Sequence, residues 1–198
     1  VRDVGGRELV TFAWGLRGPM IFANFSTRSV HEKAERRLAE LITRTRTAHP
    51  DANIDLIAHS AGCGVTLGAL ASLPAGVAVD RVVLLAPSVS PGYDLAPALD
   101  RAARVVVFHS ERDVTFLKWR CSNFGTYDRV KTPAAGHSGF DVSRLDAPRR
   151  AKLRQIAYEA RFADLGHDGE HFGMLQRRFV AAVAVLLVAP ATDAPTEP

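Results

Sequence analysis

The sequence predicts an α/β fold with three layers, in which helices cover both faces of a mostly parallel sheet. Three observations predict it. Short apolar runs, Ile54–Ile57, Arg81–Ala86 and Arg104–His109, alternate with segments of helical character, the order that builds βαβ units. Arg104–His109 is apolar through its middle without polar alternation, as a strand buried on both faces is. The Ile54 run leads into a tight turn and then a stretch of small residues from Cys63 to Leu73. Right-handed crossovers between such units make their strands parallel.

Taken in order, Leu9–Trp14 reads as a strand, and Met20–Ala23 as a strand or a loop. Ser29-x-x-Glu32 has the form of a capping box. The helix that follows places Ala34, Leu38, Leu41, Ile42 and Ala48 on one face, with Arg and Glu opposite. His49–Asn53, with Pro50, ends it. The Ile54 strand, the small-residue helix and the Arg81 strand come next. Gly64 and Gly68 share a face of that helix and are expected to let it lie close against the sheet. A helix around Leu95–Ala103 leads to the Arg104 strand. Residues 114–146, rich in Gly, Ser and aromatics without a clean period, read as a cap-like insertion. A last strand near Leu153–Tyr158 precedes a His-containing loop and an apolar helix from Phe179 to Ala189. One domain over residues 1–189 accounts for the chain, and the Pro-rich residues 190–198 read as a disordered tail.

Composition narrows the function. The chain has 198 residues, 47% of them hydrophobic, enough for one continuous core. Its net charge of +4 is dispersed: Arg36-Arg37, Arg149-Arg150 and Arg177-Arg178 stand beside acids or apolar residues, with no stacking aromatics between them. Solvated helix faces explain these pairs better than nucleic-acid binding. Cys63 and Cys121 have neither zinc-type nor C-x-x-C spacing, so no metal or other cofactor is expected. The apolar helix of about eleven residues is too short to span a bilayer, which takes roughly twenty. With no secretory signal in view, a soluble, cytoplasmic chain is favoured.

The chemistry centres on Ala58-His59-Ser60-Ala61-Gly62. Strand, tight turn with a central serine, then helix is the context of a nucleophile elbow. The turn strains the serine backbone, so the residues two before and two after it must be very small, and here they are Ala58 and Gly62. The plain structural reading is that Ser60 caps the following helix. For an acid, Ser110-Glu111-Arg112-Asp113 leaves the carboxyl end of the Arg104 strand, where ligand chemistry in open α/β sheets is placed. Asp113 is the first choice, with Glu111 and Asp94 as substitutes and a turn-forming aspartate as the plain reading. For a base, His171 in Gly166–Gly173 is the candidate, since imidazole moves protons both ways near neutral pH. His167 and His137 are the alternatives. His59 is expected to pack or line the site, and His31 and His49 to lie on the surface.

On these residues the chain resembles the α/β-hydrolase superfamily, and its A-x-S-x-G elbow resembles that of some small bacterial lipases. The resemblance implies an α/β-hydrolase-like sandwich, with Ser60 at the carboxyl end of a central strand and the order Ser, acid, His along the chain. It puts the histidine in the loop before the last helix, where His171 stands. It implies a serine hydrolase that cleaves a small-molecule carboxylic ester through an acyl-enzyme. It also implies an oxyanion hole with one donor from the Ala61 N–H. The family's usual earlier strand with a His-Gly loop has no match, since Val1–Gly6 reads like the end of a helix. One or more N-terminal strands are therefore expected to be absent, and the Gly15-Leu16 turn is the candidate for the second donor. Two rivals stand beside this reading. One is a non-catalytic α/β-hydrolase-like binding protein. The other is a nucleotide-binding domain, disfavoured because G-x-G-x-x-G and a P-loop lysine are missing.

Overall fold

The computed structural model describes residues 2–3, 8–14 and 27–185. Its centre is a four-stranded sheet in the order β3 (Asp55–His59), β4 (Val79–Leu85), β5 (Ala102–His109) and β6 (Leu153–Ala157), with every pairing parallel. A separate antiparallel pair of two-residue strands, β1 (Arg2–Asp3) and β2 (Glu8–Leu9), lies at the start. Helices α1 (Arg28–Ala48), α2 (Ala61–Ala71) and α3 (Ala96–Leu99) come before or between the sheet strands. A π-helical segment, Val114–Arg120, runs into α4 (Cys121–Phe124), followed by α5 (Ala135–Ser138) and α6 (Ala147–Lys152) before β6. Helix α7 (Arg177–Val185) closes the described chain.

The apolar strands explain the three layers. Successive side chains on a strand point to opposite faces, and here both faces are covered. Val82, Leu84, Val105 and Val107 pack with Ala34, Leu38 and Ile42 of α1 and Val65 and Leu70 of α2. Val83, Leu85, Val106 and Phe108 face the other way, onto Leu117, Cys121, Met174, Phe179 and Val183. One cluster therefore carries α1 and α2, and the other carries the π segment and α7. The molecule is an α/β fold with a parallel sheet flanked by helices.

Several sequence expectations are corrected. Leu9–Trp14 is not a strand: only Glu8–Leu9 pairs, and Val10 to Trp14 carry no regular structure. Arg2–Asp3 is a strand and not the end of a helix. The capping box does not form. Ser29 lies inside α1, Thr27 occupies the cap position without a side-chain bond, and Glu32 pairs with Arg28 at 2.6 Å. The Leu95–Ala103 helix shrinks to α3, because Ala102 already pairs with Val79 in the sheet. His31 is buried, its ring stacked on Tyr127 with centroids 4.1 Å apart, whereas His49 is exposed as expected.

The two helix glycines are used differently from the expectation. A Cβ on Gly64 would lie 2.4 Å from the Tyr127 ring, and one on Gly68 would lie 2.4 Å from the Glu35 carboxyl carbon. Tyr127 donates its hydroxyl to Glu35 Oε1 at 2.6 Å. The close approach is thus to a tyrosine–glutamate pair laid across α2, not to the sheet. Met20–Ala23, Gly15-Leu16 and residues 190–198 lie outside the described residues.

Candidate active site

Ser60 follows β3 directly and precedes α2. Its backbone has φ 54° and ψ −124°, a region that costs a non-glycine residue roughly 1–3 kcal/mol. The turn is held from both sides. The Ser60 N–H donates to Leu85 O at 2.9 Å, and the Ser60 carbonyl accepts from Cys63 and Ser88 at 3.0 and 3.3 Å. Ser60 makes no side-chain cap bond to α2, so its hydroxyl is directed elsewhere. Among the described strands β3 is at the sheet edge, which corrects the expectation of a central strand. The carboxyl-end position holds.

That hydroxyl meets His171. Nε2 of His171 lies 3.0 Å from Ser60 Oγ, and Nδ1 lies 2.6 Å from Asp113 Oδ2. An ionised carboxylate only accepts, so Nδ1 carries the proton and Nε2 presents its lone pair to the serine hydroxyl. Asp113 is fully buried, and its second oxygen is also engaged: Oδ1 accepts from the N–H groups of Phe116 and Leu117 at 3.3 and 3.2 Å. One carboxylate therefore caps the π segment and orients the imidazole. The carboxylate thus serves the turn that follows it and the contact with His171 at the same time.

The imidazole is packed as well as hydrogen-bonded. Phe116 stacks on it at 4.8 Å with an interplanar angle of 18°, and His59 lies 4.7 Å away. His59 Nε2 is 3.0 Å from the His171 carbonyl oxygen. A carbonyl cannot donate, so His59 is the donor and fixes the loop that carries His171. Burial, reinforced by the neighbouring His171, holds the His59 pKa down to about 4. His59 is therefore neutral at pH 7 and sets no second positive charge beside a protonated His171.

The other candidates lie elsewhere. His167 is buried among Phe162, Tyr158 and Phe179, and its Nδ1 accepts from Gly169 N–H at 3.2 Å. His137 sits in α5, its Nδ1 buried without a hydrogen-bond partner. Asp94 accepts from Ala96 N–H at the start of α3, and Glu111 is an exposed turn residue. Of the oxyanion candidates, Ala61 opens α2, where first-turn N–H groups lack intrahelical acceptors. Leu16 lies outside the described residues.

A pocket of about 190 Å³ opens over Ser60, walled by Trp14, Phe116, Leu117, Cys121 and Phe172, with Arg120 and Ser88 also on its lining. The sequence reading missed Phe116, Arg120 and Phe172. Phe172 adjoins His171 in sequence, and Phe116 follows Asp113 by three residues, so proximity to the acid and base was the available signal. Among the described residues no group of three or more His, Cys, Asp or Glu side chains is placed to hold a metal ion, and no helix is long and apolar enough to cross a membrane.

An imidazole so oriented, a hydroxyl on a strained turn and an apolar pocket define an arrangement suited to taking a proton from an alcohol. Residues 21–115 are similar to a family model described as the T6SS Tle3 phospholipase effector domain. The matched stretch includes Ser60 and Asp113 and stops before His171. No curated protein matches the chain. The likeness supports an ester-hydrolysing, lipase-type function in general.

Proposed function

We propose that this chain is a serine hydrolase of the α/β-hydrolase type that cleaves a carboxylic ester, with Ser60 as nucleophile, His171 as base and Asp113 as its orienting acid. The observation that carries the reading is the hydrogen-bonded line Asp113–His171–Ser60 ending on a serine held at φ 54°. The similarity to a phospholipase effector domain favours a phospholipid carboxyl ester as the substrate. The apolar walls of Trp14, Phe116 and Phe172 suit an acyl chain.

The reaction follows from this geometry. His171 Nε2 takes the Ser60 proton as Oγ attacks the ester carbonyl carbon, and Asp113 stabilises the imidazolium that forms. The tetrahedral oxyanion is held by the Ala61 N–H, aided by the N-terminal end of the α2 dipole. Trp14, the last described residue before the Gly15-Leu16 candidate for a second donor, lines the pocket. The carbon–oxygen bond to the alcohol then breaks, and the alcohol leaves with the proton from His171. Water, deprotonated by the same nitrogen, attacks the acyl-Ser60 ester, and the acid departs as the serine recovers its proton.

The test is labelling by a fluorophosphonate probe together with fatty-acid release from phospholipid, for the native chain and for Ser60→Ala. Labelling and release should both vanish in the variant. A native chain that neither labels nor hydrolyses p-nitrophenyl esters of any chain length would favour the binding-protein reading and remove this one.

A further inference from the structure

We propose that the stretch from Val114 to Lys131 is a lipid-docking surface that seats the mouth of the Ser60 pocket on an anionic phospholipid bilayer. The proposal deepens the hydrolase reading of the same site and rests on it for the identity of the substrate.

The first observation is exposure. Trp119 is 60% exposed and Phe124 72%, and Val114 and Val130 are also exposed. In the π segment only Leu117 is buried. Trp119 and Phe124 contact edge to face at 6.1 Å, and Phe116 meets Phe172 at 5.2 Å across the pocket lip. Large apolar side chains grouped on a surface mark an interaction site. Tryptophan in particular favours a membrane interface, where its ring is half in hydrocarbon and its N–H remains wet.

The second observation is charge. Residues 114–131 contain Lys118, Arg120, Arg129 and Lys131 and a single acid, Asp128. The Asp128 carboxylate turns inward, accepting from the Ser90 N–H at 2.8 Å, from the Ser90 hydroxyl, and from the Thr126 hydroxyl at 2.7 Å. The stretch therefore presents the exposed Lys118 and Lys131 among exposed aromatics, the combination that binds anionic headgroups. The exposed acids Glu111, Asp168 and Glu170 lie before it or on the His171 loop.

The third observation is size. A pocket of about 190 Å³ is smaller than the roughly 300–1,000 Å³ of a site that encloses a drug-sized ligand. A lipid held at Ser60 leaves most of its length outside, over the aromatic lip. Phe116 and Arg120 of this stretch line the pocket itself, so the surface continues from the pocket wall and a bilayer there delivers substrate, whereas a protein seated there would block it. That continuity favours a lipid surface over an acidic protein partner.

The experiment uses the full chain carrying Ser60→Ala, so that binding is read without hydrolysis. Its cosedimentation is measured with mixed phosphatidylcholine–phosphatidylglycerol vesicles and with phosphatidylcholine vesicles. Binding should be confined largely to the anionic vesicles and weaken with salt. Lys118→Ala and Lys131→Ala should each weaken it about fivefold, and Trp119→Ala with Phe124→Ala by about tenfold or more. With Ser60 intact, the aromatic double variant should keep the native turnover of p-nitrophenyl acetate, a soluble ester that needs no bilayer. No vesicle binding, equal binding to both vesicle types, or binding indifferent to both sets of variants would overturn the proposal. Self-association lost in the aromatic variant, without vesicle binding, would assign the patch to a second copy and overturn it equally. Vesicle binding by a chain whose native form takes no fluorophosphonate would retire the hydrolase reading alone. Labelling without vesicle binding would retire the surface alone.

Discussion

Helix α2 and the π segment both abut Ser60, yet they are built on opposite terms. Eight of the eleven residues of α2 are buried, and its side chains are mostly small. The π segment buries one residue of seven and displays Val114, Phe116 and Trp119. The first is held by packing on every side. The second is held at its start by a carboxylate, through the two N–H groups that Asp113 accepts. The side of the site that carries Ser60 is therefore rigid by burial, and the side that forms the lip is exposed, tied by the Asp113 carboxylate at its start and by the Leu117 carbonyl, which accepts from Ala134 N–H at 2.8 Å. Rigidity belongs where atoms must be placed within tenths of an ångström, and the exposed wall belongs where a ligand enters.

The largest effect that sharpens this contrast is on the nucleophile side. Ser60→Ala should lower ester turnover by about 10⁴-fold or more, with the folded structure retained, as followed by steady-state kinetics and thermal melting. Asp113 tests the boundary between the two regions, because it serves both. Asp113→Asn keeps a carbonyl acceptor for Phe116 and Leu117 but loses the carboxylate beside His171, so turnover should fall by about 10⁴-fold with little change in stability. Asp113→Ala should add a loss of about 1 kcal/mol or more, typical of a removed cap. Equal stability of the Asn and Ala variants would show that the cap is not what holds the lip.

A pH titration separates the regions next. His59 is held near 4 in the folded chain, below about 6.5 for an unfolded histidine. Its folded pKa is depressed, so the unfolded state binds the proton more readily. The contribution to stability is therefore full above about pH 6.5 and is lost progressively as pH falls toward 4, by about 3 kcal/mol in all. Burial lowers His109 and His167 in the same sense, so denaturant titrations of His59→Asn should flatten part of this slope and leave the rest. An unchanged slope would show that His59 is not desolvated as the geometry requires. Gly64→Ala should cost roughly 1–3 kcal/mol, because the added methyl must displace the Tyr127 ring. By contrast, Trp119→Ala should change chemical stability by no more than about 0.5 kcal/mol. A large loss there would mean the lip is packed and not open.

The same contrast explains what could be read from the residues alone. The strands β4, β5 and β6, the elbow and α2 were legible because each is specified locally: apolar runs of strand length, and small residues where the turn admits nothing larger. Asp113 and His171 were singled out from their places after a strand and before a helix, and the fold brings both into one hydrogen-bonded line with Ser60. The π segment was not, since Val-Thr-Phe-Leu-Lys-Trp-Arg buries only Leu117 and so has no period to detect. His31 was misplaced on the surface, although its spacing to Ala34, Leu38 and Ile42 puts it on the buried face of α1. Leu9–Trp14 has the composition of a strand but, among the described residues, pairs only at Glu8 and Leu9, and composition cannot reveal a missing partner. Gly64 and Gly68 announced a close approach without saying to what, because Tyr127 and Glu35 come from distant parts of the chain.

The two oxygens of Asp113 tie the orientation of His171 to the shape of the doorway. A loop that moved the π segment by one residue would drag the carboxylate with it and turn the imidazole away from Ser60. Length changes between Asp113 and Leu117 would therefore break the line to Ser60, and those beyond Phe124 meet a second set of ties, Tyr127 to Glu35 and Asp128 to Ser90. Drift in the lip is thus confined to substitution at exposed positions such as Trp119 and Phe124, while its spacing is fixed from both ends.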